Sequence, residues 1–227
     1  MESITLGIID FFNSGLSFVE IFVMLGAWVL AILSALVFRE YARGYTAVKM
    51  GDNTPKISGQ LSLNPAKHFD LIGFLCILLV GFGWSKDMPI NPNNFRDIKK
   101  GQILCSSVGI LTNIVIFIVF TFLYVVCATF FDPSVLILNF LTQLCLYVAL
   151  INLFIGFFNL LPIYPLDGFC LVATFCRYDN RYVNFMRRYG SIILMVVVLL
   201  FMLFPVLINW IYRDVFFGLV QLFAMIF

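Results

Sequence analysis

Residues 18–44 read FVEIFVMLGAWVLAILSALVFREYARG, and this stretch decides the fold class. From Phe18 to Val37 the only charged residue is Glu20. A helix rises about 1.5 Å per residue, so some 20 apolar residues match a hydrocarbon layer roughly 30 Å thick. The pattern predicts a spanning helix over Phe18–Val37 that continues through Arg43. The rest of the chain agrees: of 227 residues, 62% are hydrophobic and 11% charged. A soluble domain carries about 25% charged residues. Too few charges remain here to cover a water-exposed surface, which excludes a soluble globular protein and makes the lipid bilayer the first partner. The formal net charge is +2, and no basic block points to nucleic acid.

Working outward, Ile4–Phe12 is short and apolar and could lie in the membrane interface. Met1–Asp10 carries no Lys or Arg, so a cleavable signal is not expected there. Gly51, Asp52, Asn53, Pro55, Gly59, Asn64 and Pro65 punctuate residues 49–67, and Lys56–Leu63 alternates loosely enough for short strands. Phe69–Trp84 is a minimal span or a re-entrant segment. Further apolar runs cover Gln102–Phe131, Ser134–Leu161 and Ile192–Trp210, with a short segment at Gly168–Phe175 and an apolar tail from Val215. The expected fold is an all-α polytopic membrane protein of about five transmembrane helices. A short re-entrant or β-like stretch follows the first core helix, and residues 1–227 form a single membrane domain. Loops 85–100 and 177–188 each carry four Lys or Arg, and the positive-inside rule places both in the cytoplasm. The six cysteines form no C-x-x-C pair and read as small apolar residues.

Charge is expensive inside a bilayer, at about 2.5–3.5 kcal/mol per residue on insertion scales, and it often marks function. Two places qualify. Arg39-Glu40-Tyr41-Ala42-Arg43 ends the first span, and the two arginines, four apart, share a helix face. Taken alone, this is also what snorkelling arginines at a helix end look like. The second place is Asn159-Leu160-Leu161-Pro162-Ile163-Tyr164-Pro165-Leu166-Asp167-Gly168. Two prolines break the helix beside an acid, and broken backbone at membrane depth is tolerated where it lines a cavity. A plain helix exit into a loop reads the same way.

These motifs together resemble the site-2 protease family of intramembrane zinc metalloproteases, in its compact form without a PDZ or CBS domain. That family carries H-E-x-x-H on one membrane helix and N-x-x-P-x-x-P-L-D-G on a later one. The second motif is intact here as Asn159, Pro162, Pro165, Leu166, Asp167 and Gly168. Gly51-Asp52-x-Thr54 and Gly59-x-Leu61-x-Leu63-Asn64-Pro65-x-x-His68-x-Asp70 are similar to the stretch after the first motif. Phe82-Gly83-Trp84, Pro89-Ile90-Asn91-Pro92 and Asn94-Phe95-Arg96 match the next segment. Gly109 and Asn113 fit S-x-x-G-P-x-x-N, with Ile110 in place of proline. The likeness covers roughly residues 20–175.

The departure is equally specific. H-E-x-x-H reads Arg39-Glu40-Tyr41-Ala42-Arg43. The resemblance assigns the two zinc histidines to Arg39 and Arg43, the third ligand to Asp167, and the general base to Glu40. Arginine has no lone pair to offer a metal, and a catalytic zinc needs three protein ligands. No metal is therefore expected, and zinc would be the cofactor only if the family activity were retained. His68 is the sole histidine and fills a position that looks structural. Two guanidinium groups carry the charge of one zinc dication, so they could balance Glu40 and Asp167 as an ion-pair cluster. The expected function is a catalytically inactive relative that binds or regulates transmembrane segments, or an active relative of its own family. An active intramembrane metalloendopeptidase and a transport or ion pathway, lined by Thr112, Asn113, Gln143 and Asn152, are the alternatives.

Overall fold

A computed structural model describes residues 17–73, 76, 85–177, 179–203 and 211–227. Among these the chain is helical, with α1 at Phe18–Met50, α2 at Thr54–Ile57, α3 at Ile98–Phe130, α4 at Leu136–Asn159, α5 at Asp167–Phe175, α6 at Arg181–Leu203 and α7 at Phe217–Ala224. Four helices, α1, α3, α4 and α6, are long and apolar enough to cross a membrane. The protein is an all-α, multi-pass membrane protein. The expected interfacial segment at Ile4–Phe12, most of the minimal span at Phe69–Trp84 and the end of the run to Trp210 lie outside the described residues.

Helix α1 begins where Ser17 and Glu20 cap each other: the Ser17 hydroxyl accepts from the Glu20 N–H, and Glu20 accepts from the Ser17 N–H at 2.9 Å. It runs 33 residues, about 50 Å, well past the expected end at Arg43. Gly51 stops it, at φ 114°, with its N–H on the carbonyls of Ala47 and Val48. Ala27, Ala31 and Ala35 recur every fourth residue and are fully buried. That small-residue stripe lets neighbouring backbones approach closely, as packing within lipid requires. Ile21, Trp28 and Ile32 of α1 pack with Val148 and Ile151 of α4. On the other side of α4, Ala149 and Leu150 meet Phe117 of α3 with Tyr212 and Phe216. Helices α1, α3 and α4 thus form the packed core.

Helix α6 is different. Only 11% of its most apolar window is buried, and large side chains such as Met195 and Leu199 are exposed. Its N-terminal third is nevertheless held. Gly190 sits so close to Tyr164 that a Cβ there would approach the Tyr164 Cβ to 2.7 Å, and the Tyr182 hydroxyl donates to the Pro162 carbonyl.

Two expectations are corrected. Residues 56–63 form no strand, and no strand occurs among the described residues. Pro55 sits in the first turn of α2 and Pro65 opens a 3₁₀ turn, Pro65–Lys67. Proline at that position favours helical turns, and Gly59 between them is left-handed at φ 69°. The basic stretch 177–188 is not wholly a loop. Helix α6 starts at Arg181, where Asn180 Oδ1 accepts from the Tyr182 N–H at 2.8 Å. A cap and a buried Val183 outweigh local polarity, which is no barrier to helix in itself. Both basic segments lie at one end of the bundle, with Lys99 Nζ 5.0 Å from the Phe175 ring centroid.

The loop after α2 returns to the end of α1 through Asp52, which is fully buried. Its carboxylate accepts from the Thr54 N–H at 3.0 Å, the Thr54 hydroxyl, the Asn91 N–H at 2.7 Å and Asn94 Nδ2 at 2.8 Å. Burial pushes the Asp52 carboxyl up. Hydrogen bonds from Thr54, Asn94 and the Asn91 backbone outweigh it and hold the group below its ordinary range. The folded pKa is thus lower than the unfolded one, so this stabilisation is full above the unfolded value of about 3.9. It is lost as pH falls through the folded pKa. Asp52→Ala should cost at least about 1.5–3 kcal/mol, the worth of one charge-assisted hydrogen bond, read as a lower melting temperature in detergent at pH 7. An acid titration of melting temperature should show a loss below about pH 4 that Asp52→Asn lacks; parallel curves would place Asp52 outside this network.

Candidate functional site

Helix α1 carries Arg39, Glu40 and Arg43 into the packed core, where Glu40 is fully buried. Asn159 is the last residue of α4, about 36 Å from that helix's start. The chain then turns sharply through Pro162 and Pro165, with a cis Tyr164–Pro165 bond. Asp167 enters as the first residue of α5 and is 2% exposed. Gly168 follows because any side chain there would strike the Leu160 carbonyl: a Cβ would stand 2.4 Å from its oxygen. The proline turn therefore folds α5 back against the end of α4 and brings two motifs 128 residues apart into contact.

The four charges close a ring. Arg39 Nη1 donates to Glu40 Oε1, and Arg39 Nη2 reaches Asp167 Oδ2 at 2.6 Å and Asn159 Oδ1 at 2.9 Å. Arg43 Nη1 donates to both Glu40 oxygens, at 3.1 and 3.2 Å. Its Nη2 lies 3.3 Å from Asp167 Oδ1. Each arginine thus bridges the same two carboxylates. The Met88 N–H adds a bond to Glu40 Oε2 at 3.0 Å, tying the loop before α3 to the ring. The Nε–H groups of Arg39 and Arg43 are buried with no partner among the described residues. Asn159 is itself oriented by its Nδ2, which donates to the Ile155 carbonyl at 2.8 Å.

Helix α3 covers the ring at Gly109. A Cβ on Gly109 would stand 2.9 Å from both Arg43 Cδ and Asp167 Oδ2, so only glycine lets α3 approach this closely. One turn deeper, Asn113 is fully buried, and neither end of its amide has a partner among the described residues. It faces Gly156 of α4 rather than the ring. His68 is also apart: its Nε2 lies 2.7 Å from the Ser62 carbonyl, while its own carbonyl accepts from Lys86 N–H at 3.0 Å. It staples one loop turn to the next. All six cysteines are free.

Beside the ring opens a cavity of about 1140 Å³. Arg39, Arg43 and Asn159 stand at its polar end, and Trp28, Ile32, Ile151 and Leu194 line its apolar depth. The wall on the far side is α6. Two lining residues, Asp87 and Arg187, escaped the sequence argument because each sits among other polar residues, where charge is ordinary. No motif or spacing marks either one.

A zinc ion does not fit these residues. Guanidinium groups stand at both positions that the resemblance assigns to the zinc histidines, and they bind Asp167, the remaining candidate ligand, and Glu40, the candidate general base. Among the described residues no group of three or more His, Cys, Asp and Glu side chains is placed to hold a metal. Glu40 already accepts at both oxygens, leaving it no free lone pair aimed at a water.

The family model for peptidase family M50 matches residues 134–204, which take in the proline turn, Asp167 and α6. The chain is 33% identical over 147 residues to "Putative zinc metalloprotease YwhC" of Bacillus subtilis strain 168, covering 63% of this chain and 66% of that relative. The matched region thus spans just under two thirds of the relative's length. No solved structure matches. With the intact N-x-x-P-x-x-P-L-D-G turn seated against the helix that carries Arg39, Glu40 and Arg43, the chain belongs to peptidase family M50, the site-2 protease family.

Proposed function

We propose that this chain is a non-catalytic site-2 protease relative that binds membrane-embedded protein segments in the cavity beside the charge ring. The observation that carries this reading is the ring itself. Arg39 and Arg43 stand where metal ligands would have to be, and they saturate Glu40 and Asp167. Peptide hydrolysis by this family's chemistry needs an open metal position and an activated water; the residues here supply neither. The cavity supports the binding part. It is apolar at depth, polar at one end, and bounded by a helix that is loosely packed along most of its length, as a groove for a transmembrane segment would be. Such a protein would sequester or present a segment, or regulate an active relative by competing for it. The basic residues at the ring's end of the bundle, including Lys99, Lys100, Arg177 and Arg181, favour a cytoplasmic placement of that end. Labelling of those lysines by a membrane-impermeant reagent in inverted but not right-side-out vesicles is the expected result.

The ring should be structural. Removing one carboxylate leaves guanidinium charge uncompensated in a buried site, and breaking such a pair typically costs about 3–5 kcal/mol. Asp167→Ala should accordingly melt well below the parent in detergent. An equal melting temperature would mean that the four groups are solvated separately.

Zinc content separates this reading from active metalloprotease. The parent should purify with far less than one zinc per chain by elemental analysis. Arg39→His with Arg43→His should raise the zinc content towards one, because histidines one turn apart would face the intact Asp167. Each single substitution should stay near the parent value, since it supplies too few ligands and leaves a cation in place. A parent holding one tightly bound zinc would overturn the non-catalytic reading. A folded double variant with no added zinc would mean that the ring's backbone geometry no longer suits a metal.

A further inference from the structure

Asp87 has no use in the ring, yet it is placed beside it. Its carboxylate lines the cavity and is exposed. Among the described residues the carboxylate makes no hydrogen bond and no ion pair. Its backbone is nevertheless pinned. The next residue, Met88, is 5% exposed, its N–H donates to Glu40 Oε2 at 3.0 Å, and its sulfur packs over Gly44. Asp87 is thus a fixed anion rather than a floating loop residue.

The charges around it leave it uncompensated. Arg39 and Arg43 are each shared between Glu40 and Asp167, so two cations meet three carboxylates once Asp87 is counted. Lys86, next in sequence, forms no ion pair with Asp87; with the Gln60 amide turned to suit its neighbours, its Nζ faces the amide oxygen at 3.2 Å. Arg187 lines the same cavity but forms no ion pair with Asp87. The surrounding protein and the nearby Glu40 carboxylate raise the Asp87 pKa, with Arg43 and Arg39 offsetting this only in part. A cation brought to this point from outside would relieve both effects.

We propose that Asp87 is a specificity-determining contact for a Lys or Arg side chain at the membrane-proximal end of the segment held in the cavity. The inference rests on the reading that the cavity binds a transmembrane segment, and it names which segments. The cavity is graded in the right sense, from Trp28, Ile32, Ile151 and Leu194 in its depth to the charged groups at its polar end. Transmembrane segments are graded likewise: an apolar run ends in Lys or Arg at the interface, on stems long enough to reach a fixed anion. An ion pair of this kind discriminates by about two- to fivefold in Kd.

The test uses the full chain in nanodiscs of zwitterionic lipid and fluorescent synthetic peptides with one apolar core of about 20 residues. The flanks at one end are Lys, Gln or Glu, and Kd is read from energy transfer to an acceptor on the protein. The parent should bind the Lys peptide about two- to fivefold more tightly than the Gln peptide. Asp87→Asn should abolish that preference, and Asp87→Lys should favour the Glu peptide. Asp87 is exposed, so both variants should melt with the parent. A Lys preference that survives in Asp87→Asn would overturn the proposal, as would a parent that prefers the Glu peptide, which would assign recognition to Arg187. If the Gln peptide binds and flanks make no difference, segment binding stands and the role of Asp87 falls. If no peptide binds, the segment-binding reading fails and takes the proposal with it.

Discussion

The closed ring of Arg39, Glu40, Arg43 and Asp167 is the constraint on which the rest of the site depends. Taking any one of these charges out of water is costly by several kcal/mol, and a single pair repays that only with excellent geometry and further hydrogen bonds. Here each carboxylate receives two guanidinium groups, Asn159 accepts from Arg39, and the Met88 N–H adds a bond to Glu40. The arrangement needs all its parts at once. It therefore holds α1, the end of α4, the start of α5 and the loop before α3 in a single relative placement. Gly109, Gly168 and the proline turn make sense as the local conditions that let these elements come close enough.

If Arg39 and Arg43 stand at the family's zinc-histidine positions, as the resemblance implies, the same ring explains how the fold persists without the metal. Zinc in the family would contribute two positive charges between a glutamate and an aspartate. Two guanidinium groups contribute the same charge to the same acids, and their planar donors suit carboxylates better than an ammonium group would. On the non-catalytic reading proposed above, electroneutrality is preserved, whereas a Lewis acid and an open coordination position are not. What survives is a rigid, polar end wall to a large apolar cavity. Helix α6 closes that cavity and packs tightly near Gly190 and Tyr182. Stability is concentrated in α1, α3 and α4, so the cavity wall is the part best able to accommodate an occupant.

Much of this was legible without coordinates. Spanning helices announce themselves because lipid tolerates only backbone whose hydrogen bonds are satisfied internally, and an apolar run of sufficient length allows few other structures. The expected limits of α3 and α4 differ from the observed ones by four residues at most. Helix α1 runs on beyond Arg43 through Gly44–Met50, where no helix breaker intervenes until Gly51 supplies a left-handed stop. The strand expected near Lys56–Leu63 failed because Pro55 and Pro65 enforce helical turns. Much of the basic stretch 177–188 proved to be the first turns of α6 for a related reason: capping by Asn180 is a stronger local signal than charge.

At the site, the residue types and their spacing determined the chemistry that is possible. Arg39 and Arg43 must share a helix face, arginine cannot ligate a metal, and the proline turn must place Asp167 outside a continuous helix. These follow from helix geometry and from lone pairs, which a sequence carries in full. Only the tertiary structure decided that Asp167 meets both arginines, that Asn113 faces Gly156 instead, and that Asp87 stands fixed and unpaired at the cavity's edge. Each of these is a contact between elements far apart in the chain. Such contacts depend on how helices approach one another, and that is governed by packing of small residues such as Gly109 and Gly44 against whole neighbouring side chains, not by any local pattern.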